Sequence, residues 1–395
     1  MAALRVRTYS ARFGDTLLVS VPDYDVNTGL TTVRHVLVDA GNLLPDEDGV
    51  DPVFHPVLED VLAQLDGAPL DLYVLAHEHL GHVKGPPPRE PLKLRDAWLT
   101  ASAAPDYAEQ HRESARQLAE RRALYDDLRE YCRLRPEAAR GSVPSLLLGN
   151  DYRKAEARAE LLRSSAERTH YLSRDASPKR MHPLKEATLK VWAPEVETHE
   201  YVGRVFPVAL GLERRPGGEL SLHVPGPPAG VDASAFYNLL KWRRQGMGDD
   251  LLAIDTAAKN TSIVFSLEWR GWRLLFAGDA GTRSWKVMKR QDVLRPVHFL
   301  QVGAPGTPDE DILDDILPVG GADGRQRYAV ISEGNGVSRL RARCMPSTPP
   351  QGALYVDLLF EDVERQQVPP RLRRAVPARA HGLRRLTRGG GKRRA

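Results

Sequence analysis

The apolar run Leu72-Tyr73-Val74-Leu75 leads into His77-Glu78-His79-Leu80-Gly81-His82, and this junction constrains the fold more than any other feature of the chain. The run predicts a buried strand that ends where the histidines begin. Histidines at i and i+2 of an extended segment point the same way, and one at i+5 can turn back toward them. Neutral imidazole is a good ligand for zinc and other borderline divalent metals. His77, His79 and His82 are therefore a candidate metal cradle.

The segments before it alternate strand and turn. Leu4 to Tyr9 predicts a strand, Phe13-Gly14-Asp15-Thr16 a turn, Leu17 to Val21 a strand, and Val36-Leu37-Val38-Asp39-Ala40-Gly41 a buried strand ending on a carboxylate and a glycine. Val57 to Leu65 has helical spacing. Strand-strand-strand-helix-strand implies an α/β layer architecture. From Arg95 to Pro183 the character changes. Tyr107 to Arg133 and Tyr152 to Glu167 are dense in Ala, Leu, Glu and Arg, which predicts amphipathic helices and a helical insertion over about 95–183. Strand character returns at Ala187 to Pro194, followed by a Gly/Pro-rich loop from Arg215 to Gly230 and a helical segment from Phe236 to Arg244. Thr261 to Trp269 and Trp272 to Ala277 are strands joined by a tight turn at Arg270-Gly271, and the second runs into Gly278-Asp279-Ala280.

Composition narrows the class. With 42% hydrophobic and 27% charged residues the chain has the make-up of a soluble globular protein. No apolar run approaches the roughly 20 residues that span a bilayer, and the N-terminus lacks a signal-peptide core. Two cysteines, Cys132 and Cys344, fit a reducing cytoplasm without a disulfide framework or thiolate metal site. Ten of the 56 Lys and Arg and none of the 52 Asp and Glu lie in 366–395, so an overall +4 becomes −6 for residues 1–365. That Pro-, Gly- and Arg-rich tail predicts disorder and salt-sensitive attachment to nucleic acid or an acidic partner. The first 365 residues then form one domain. Charges of both signs on the helical insertion suit a solvated surface or a protein partner.

Five points in fixed order resemble the metallo-β-lactamase superfamily, in the branch near the hydrolase domain of bacterial competence proteins. They are Phe13-Gly14-Asp15-Thr16, Val38-Asp39-Ala40-Gly41, the histidine cluster, Lys259-Asn260-Thr261-Ser262, and Leu275-Phe276-Ala277-Gly278-Asp279-Ala280. The resemblance covers about residues 4–363 and implies a four-layer αββα sandwich with a helical excursion after the histidines. It implies metal ligands at His77, His79, His82 and Asp279, with Asp279 and His79 carrying the chemistry. The family pattern is His-x-His-x-Asp-His, and Gly81 stands at its Asp. In the late loop Gln301-Val302-Gly303-Ala304-Pro305-Gly306-Thr307, Ala304 and Pro305 stand where the family has two histidines. Losing a carboxylate and a closing histidine, two ligands in all, weakens a second ion by several kcal/mol, on the scale of buried-charge penalties. The expectation is zinc or another divalent transition metal, at most one ion, or none. Asp309, Glu310 and Asp311 are carboxylates close enough in sequence to substitute. Two functional classes follow. One is a pseudoenzyme kept as a regulatory or interaction module. The other is a mononuclear hydrolase acting on a phosphodiester of nucleic acid or a nucleotide.

Overall fold

The computed structural model describes residues 3–10, 16–40, 54–78, 92–134, 152–201, 212–214, 220–222, 226–227, 229–238, 256–303, 308–319, 324–331, 343–347, 349, 352–361 and 372–377. The chain is a mixed α/β protein built on two sheets. The larger contains β1 (Ala3–Tyr9), β2 (Leu17–Asp25), β3 (Leu30–Val38), β4 (Leu70–Val74), β5 (Leu94–Thr100), β6 (Ala166–Leu172), β15 (Ala353–Glu361) and β16 (Leu372–Pro377). Its order is β16-β15-β1-β2-β3-β4-β5-β6. The smaller contains β7 (Thr188–Ala193), β10 (Val264–Trp269), β11 (Trp272–Phe276), β12 (Phe299–Val302), β13 (Tyr328–Ile331) and β14 (Met345–Pro346), in the order β14-β13-β12-β11-β10-β7. A separate hairpin pairs β8 (Leu212–Arg214) with β9 (Leu220–Leu222), the second strand lying inside the stretch from Arg215 expected to be an irregular loop. Among the described residues the helices include α1 (Phe54–Leu65), α2 (Arg112–Leu134), α3 (Tyr152–Ser165), α4 (Thr282–Arg290) and α5 (Glu310–Ile316), and a short turn at Tyr107–Gln110.

Apolar alternation decides which face each strand buries. Val19, Val36, Val74 and Trp98 of the larger sheet share one buried cluster with Val191, Phe265, Leu274 and Phe299 of the smaller. Phe265 stacks on Phe276 at 5.0 Å and receives the Trp98 edge at 5.7 Å. The other face of the larger sheet, with Leu18, Leu37 and Tyr73, packs on Val57 and Val61 of α1 and Ala155 and Ala159 of α3. The other face of the smaller sheet, with Leu275, Leu300 and Ala329, packs on Trp285 and Met288 of α4 and Ile312 and Ile316 of α5. The predicted hairpin is present: Arg270 and Gly271 both have positive φ (44° and 80°), the mirror-image turn that matches strand twist.

Two expected boundaries need correction. The stretch 95–183 is not wholly a helical insertion, because β5 and β6 belong to the larger sheet and only the residues between them leave it. Neither strand alternates cleanly. Asp96, fully buried in β5, is held by Arg168 (2.9 and 2.7 Å) and His170 (2.8 Å) from β6. The pairing that compensates the carboxylate spans more than 70 positions and leaves no local pattern. The basic segment 366–395 is likewise not wholly a tail, since Leu372–Pro377 pairs antiparallel with β15 as an edge strand. The rest of that segment lies outside the described residues. No helix among the described residues is long and apolar enough to cross a membrane.

One buried ion cluster ties the larger sheet to α1. Arg7 of β1 donates to both oxygens of Asp357 on β15 (2.8 Å each) and to Asp60 of α1 (2.6 Å), which also accepts from Tyr9 Oη (2.6 Å). Burial alone would lower the Arg7 pKa, and the two carboxylates reverse that and raise it. Burial and Asp60 together hold the Tyr9 phenol well above its ordinary range. Arg7→Ala leaves Asp357 buried without its partner, and should lower the unfolding free energy by about 3–5 kcal/mol in urea titrations. A second expectation concerns acid. Burial pulls the His35 pKa below its ordinary 6.5, against the opposing charge of Asp71. Below that value the unfolded chain binds more protons than the folded one, so His35 takes away stability as pH falls. His35→Gln should therefore flatten the fall in melting temperature between about pH 7 and pH 5.

Candidate functional site

The two sheets meet where β4 and β11 end. The chain leaves β4 through Leu75 and Ala76 to reach His77, which is buried. Asp39, after β3, steers this exit. It has a positive φ of 53°, its N–H donates to Val74 O (2.9 Å), and its Oδ1 accepts from Ala76 N (2.7 Å). Its role is a hydrogen-bonding one, as a short polar residue in the left-handed region allows. The Tyr73 phenol, raised first by burial and then by the Asp39 charge, shows how dry the strand end is.

The opposite half comes from residues 256–263 and 277–281. The Ile263 N–H donates to Ala76 O (2.8 Å), joining the two halves through the backbone. Ser262 Oγ donates to Lys259 O (2.7 Å) and lies 3.2 Å from His77 Nδ1. With its proton committed, that hydroxyl accepts from Nδ1–H, which fixes the tautomer and leaves the His77 lone pair on Nε2. This is the second-layer arrangement that orients a ligating imidazole. Asn260 Oδ1 accepts from Ser284 N (3.3 Å), capping α4 from outside because its own N-cap, Gly281, has no side chain to do so.

Asp279 is placed by close packing. Gly278, at φ +50°, lies so near Ala76 that an added Cβ would sit 2.9 Å from the alanine methyl. A Cβ on Gly303 would sit 1.9 Å from Asp279 Oδ1. Both positions therefore require glycine. Gln301, buried within β12, accepts from Ala277 N (3.1 Å) and Gly278 N (2.9 Å) and holds the turn that presents Asp279. Lys259 Nζ lies 3.4 Å from Asp279 Oδ2, with both side chains largely shielded from water.

The structure thus brings His77, Asp279, Lys259, Asn260 and Ser262 together. His79 and His82, and the departures Gly81, Ala304 and Pro305, lie outside the described residues. Two of the three carboxylates close enough in sequence to substitute turn elsewhere: Glu310 pairs with Arg343 (2.8 Å) and Asp311 with Lys289 (3.0 Å). No three His, Cys, Asp or Glu side chains converge on a metal position among the described residues. The pair His77 and Asp279 suits one borderline ion in donor type. The described part of the site offers no further donors for a second ion, and Lys259 competes with any ion for Asp279.

Three contributors were not read from the sequence. Lys259 enters the sequence pattern only as part of Lys259-Asn260-Thr261-Ser262, with no link to Asp279. Gln301 carried a signal, a lone amide in the apolar run Phe299-Leu300-Gln301-Val302. The insertion carried none, yet Arg121 and Arg122 of α2 line a cavity with His77, Glu78, Thr100 and Thr261. Desolvation raises the Glu78 pKa, Arg122 opposes the shift and Glu156 adds to it. No protein-family model and no curated protein matches this sequence. Asn260→Ala should cost about 1 kcal/mol by chemical denaturation, the usual worth of a helix N-terminal cap, with secondary structure by circular dichroism unchanged.

Proposed function

We propose that the chain is a metallo-β-lactamase-like αββα sandwich whose binuclear site has decayed, kept as a regulatory or interaction module rather than as a hydrolase. The two sheets sharing one core, with helices against each outer face, support that layering. The observation that carries the functional reading is the Lys259–Asp279 ion pair at 3.4 Å. In the resembled family this aspartate bridges two metal ions. Here a side-chain ammonium supplies positive charge to it, so the carboxylate is compensated without metal. On the same alignment Gly81 removes a carboxylate ligand, and Ala304 and Pro305 remove the late histidine that closes the site. Helices α2 and α3 offer a face for a protein partner, and the basic C-terminal segment offers cations to nucleic acid or an acidic partner.

One observation favours a mononuclear hydrolase as the second reading. Ser262 fixes the His77 tautomer with the lone pair on Nε2, the form in which an imidazole ligates. When bound, a single divalent ion would supply Lewis acidity, and His77 and Asp279 are the described residues able to hold it.

Turnover, measured beside metal content, separates the two. The purified chain should carry at most one weakly held transition-metal ion, lost on dialysis against chelator, and should not hydrolyse bis(p-nitrophenyl) phosphate. Lys259→Gln, which removes the ammonium from Asp279, should strengthen binding of added zinc several-fold. Two tightly held ions per native chain, or chelator-sensitive turnover, would overturn the pseudoenzyme reading.

A further inference from the structure

The β2–β3 hairpin outruns the sheet that carries it. In register, β1 accompanies β2 only to Ser20, and β4 accompanies β3 only from Val36. The pairs from Val21↔Arg34 to Asp25↔Leu30 therefore form a two-stranded ribbon. Its apolar side chains stand in water: Val26 is 79% exposed, Leu30 64%, Val33 54% and Tyr24 38%. Four of the ten exposed large hydrophobic residues among the described ones thus lie within positions 24–33, a concentration that marks an interaction surface rather than ordinary scatter.

The two edges of the ribbon differ. On the β2 side, Tyr24 N–H donates to Glu186 Oε2 (3.0 Å), and Asp23 Oδ1 accepts from the amides of Lys185 and Glu186 (2.8 Å each), so that edge is covered. Because Tyr24 N–H points away from β3, its ladder partner Thr31 turns its own N–H and C=O away from β2. The same direction recurs at Val33 and at His35, whose N–H donates to Asp71 Oδ2 (2.9 Å). Thr31 and Val33 thus aim their backbone groups out of the ribbon, and among the described residues no group pairs with them there. Leu30-Thr31-Thr32-Val33 also has no charge, proline or bulge, the devices that blunt an open edge.

We propose that this edge pairs with a second copy of the chain, β3 against β3, antiparallel about a two-fold axis at Thr32. In that register Thr31 lies opposite Val33 of the partner subunit, and Val33 opposite Thr31 of the partner subunit. Each of these residues already points its N–H and C=O outward, so the two pairs supply four backbone hydrogen bonds. The Thr32 side chains meet across the axis, a favourable cross-strand pair. Moving the axis by one residue sets Val33 against Gly29 or Thr31 against His35. Both of those amides are already committed, Gly29 N to Asp25 O (2.8 Å) and His35 N to Asp71. The strip is therefore complementary to itself in one register. No like charges oppose, since Arg34 at its end is paired with Asp71 (2.9 Å). One copy occupies the edge, so pairing closes at two. The contact is short, which makes the dimer reversible and places it at the weak end of specific interfaces. It forms at the start of β3, whereas the candidate site lies beyond the end of that strand, so the inference does not depend on the metal reading.

The test is sedimentation of the full chain over about a hundredfold range of concentration, with cross-linking beside it. The native chain should pass reversibly from monomer to dimer. Val33→Lys puts a charge on the paired edge twice over, once from each copy, and should weaken the dimer about tenfold or more. Val33 is exposed in the single chain, so the melting temperature of the monomer should stay unchanged. Directly opposed strand residues have Cα separations that a disulfide spans, so Thr32→Cys should cross-link two chains under mild oxidation. Thr28→Cys, about 25 Å from its symmetry mate on strand rise alone, should not. The native cysteines, Cys132 and Cys344, are buried and do not compete. A chain that stays monomeric throughout, or a dimer that Val33→Lys leaves intact, would overturn the interface. Cross-linking through Thr28→Cys as readily as through Thr32→Cys would overturn the register, and species that keep growing past two would overturn the closed arrangement.

Discussion

A single backbone hydrogen bond, Ile263 N–H to Ala76 O at 2.8 Å, stitches the end of the larger sheet to the start of the smaller one. Everything at the candidate site follows from it. One residue beyond Ala76 is His77, and one residue before Ile263 is Ser262, so the bond sets those two side chains facing each other. The next contact, Gly278 against Ala76, brings the third chain segment into the same place and presents Asp279. A larger residue at Gly278 or Gly303 would push the aspartate away. The site is thus a consequence of how closely three strand ends pack, and the side chains ride on that backbone arrangement.

Charge at this junction is handled internally. Asp279 has Lys259 beside it, Asp39 accepts from the Ala76 amide, and Gln301 occupies the two amides of the turn. Buried carboxylates need compensation of this kind, because an isolated charge in a dry site is far costlier than a paired one. The same rule operates away from the site. Asp96 is held by Arg168 and His170, and Asp357 by Arg7.

The insertion changes its meaning once the sheet is known. Read as a solvated excursion, it instead runs between two strands of the larger sheet, and its helices wall the cavity beside His77. His111, just before α2, and Ser114, within its first turn, both hold Glu197 (2.7 and 2.6 Å), which follows β7 of the smaller sheet. These two hydrogen bonds tie the start of the helix, which leaves the larger sheet, to the smaller one.

Local chemistry in the sequence determined the strands around the histidines, the helices of the insertion, the Arg270-Gly271 hairpin, and the list of polar residues from which the site is made. These follow from apolar periodicity, turn residues and helix propensity, all of which act over a few neighbours. Tertiary structure alone decided which of those residues meet. The Lys259–Asp279 pair, the His77–Ser262 bond at a separation of 185 residues, the Arg7–Asp357 pair at 350, and the strand identity of 94–100 and 372–377 depend on chain closure between distant segments. No local period encodes such closure. It is set by which sheet faces exclude water together and by which buried charge each then requires.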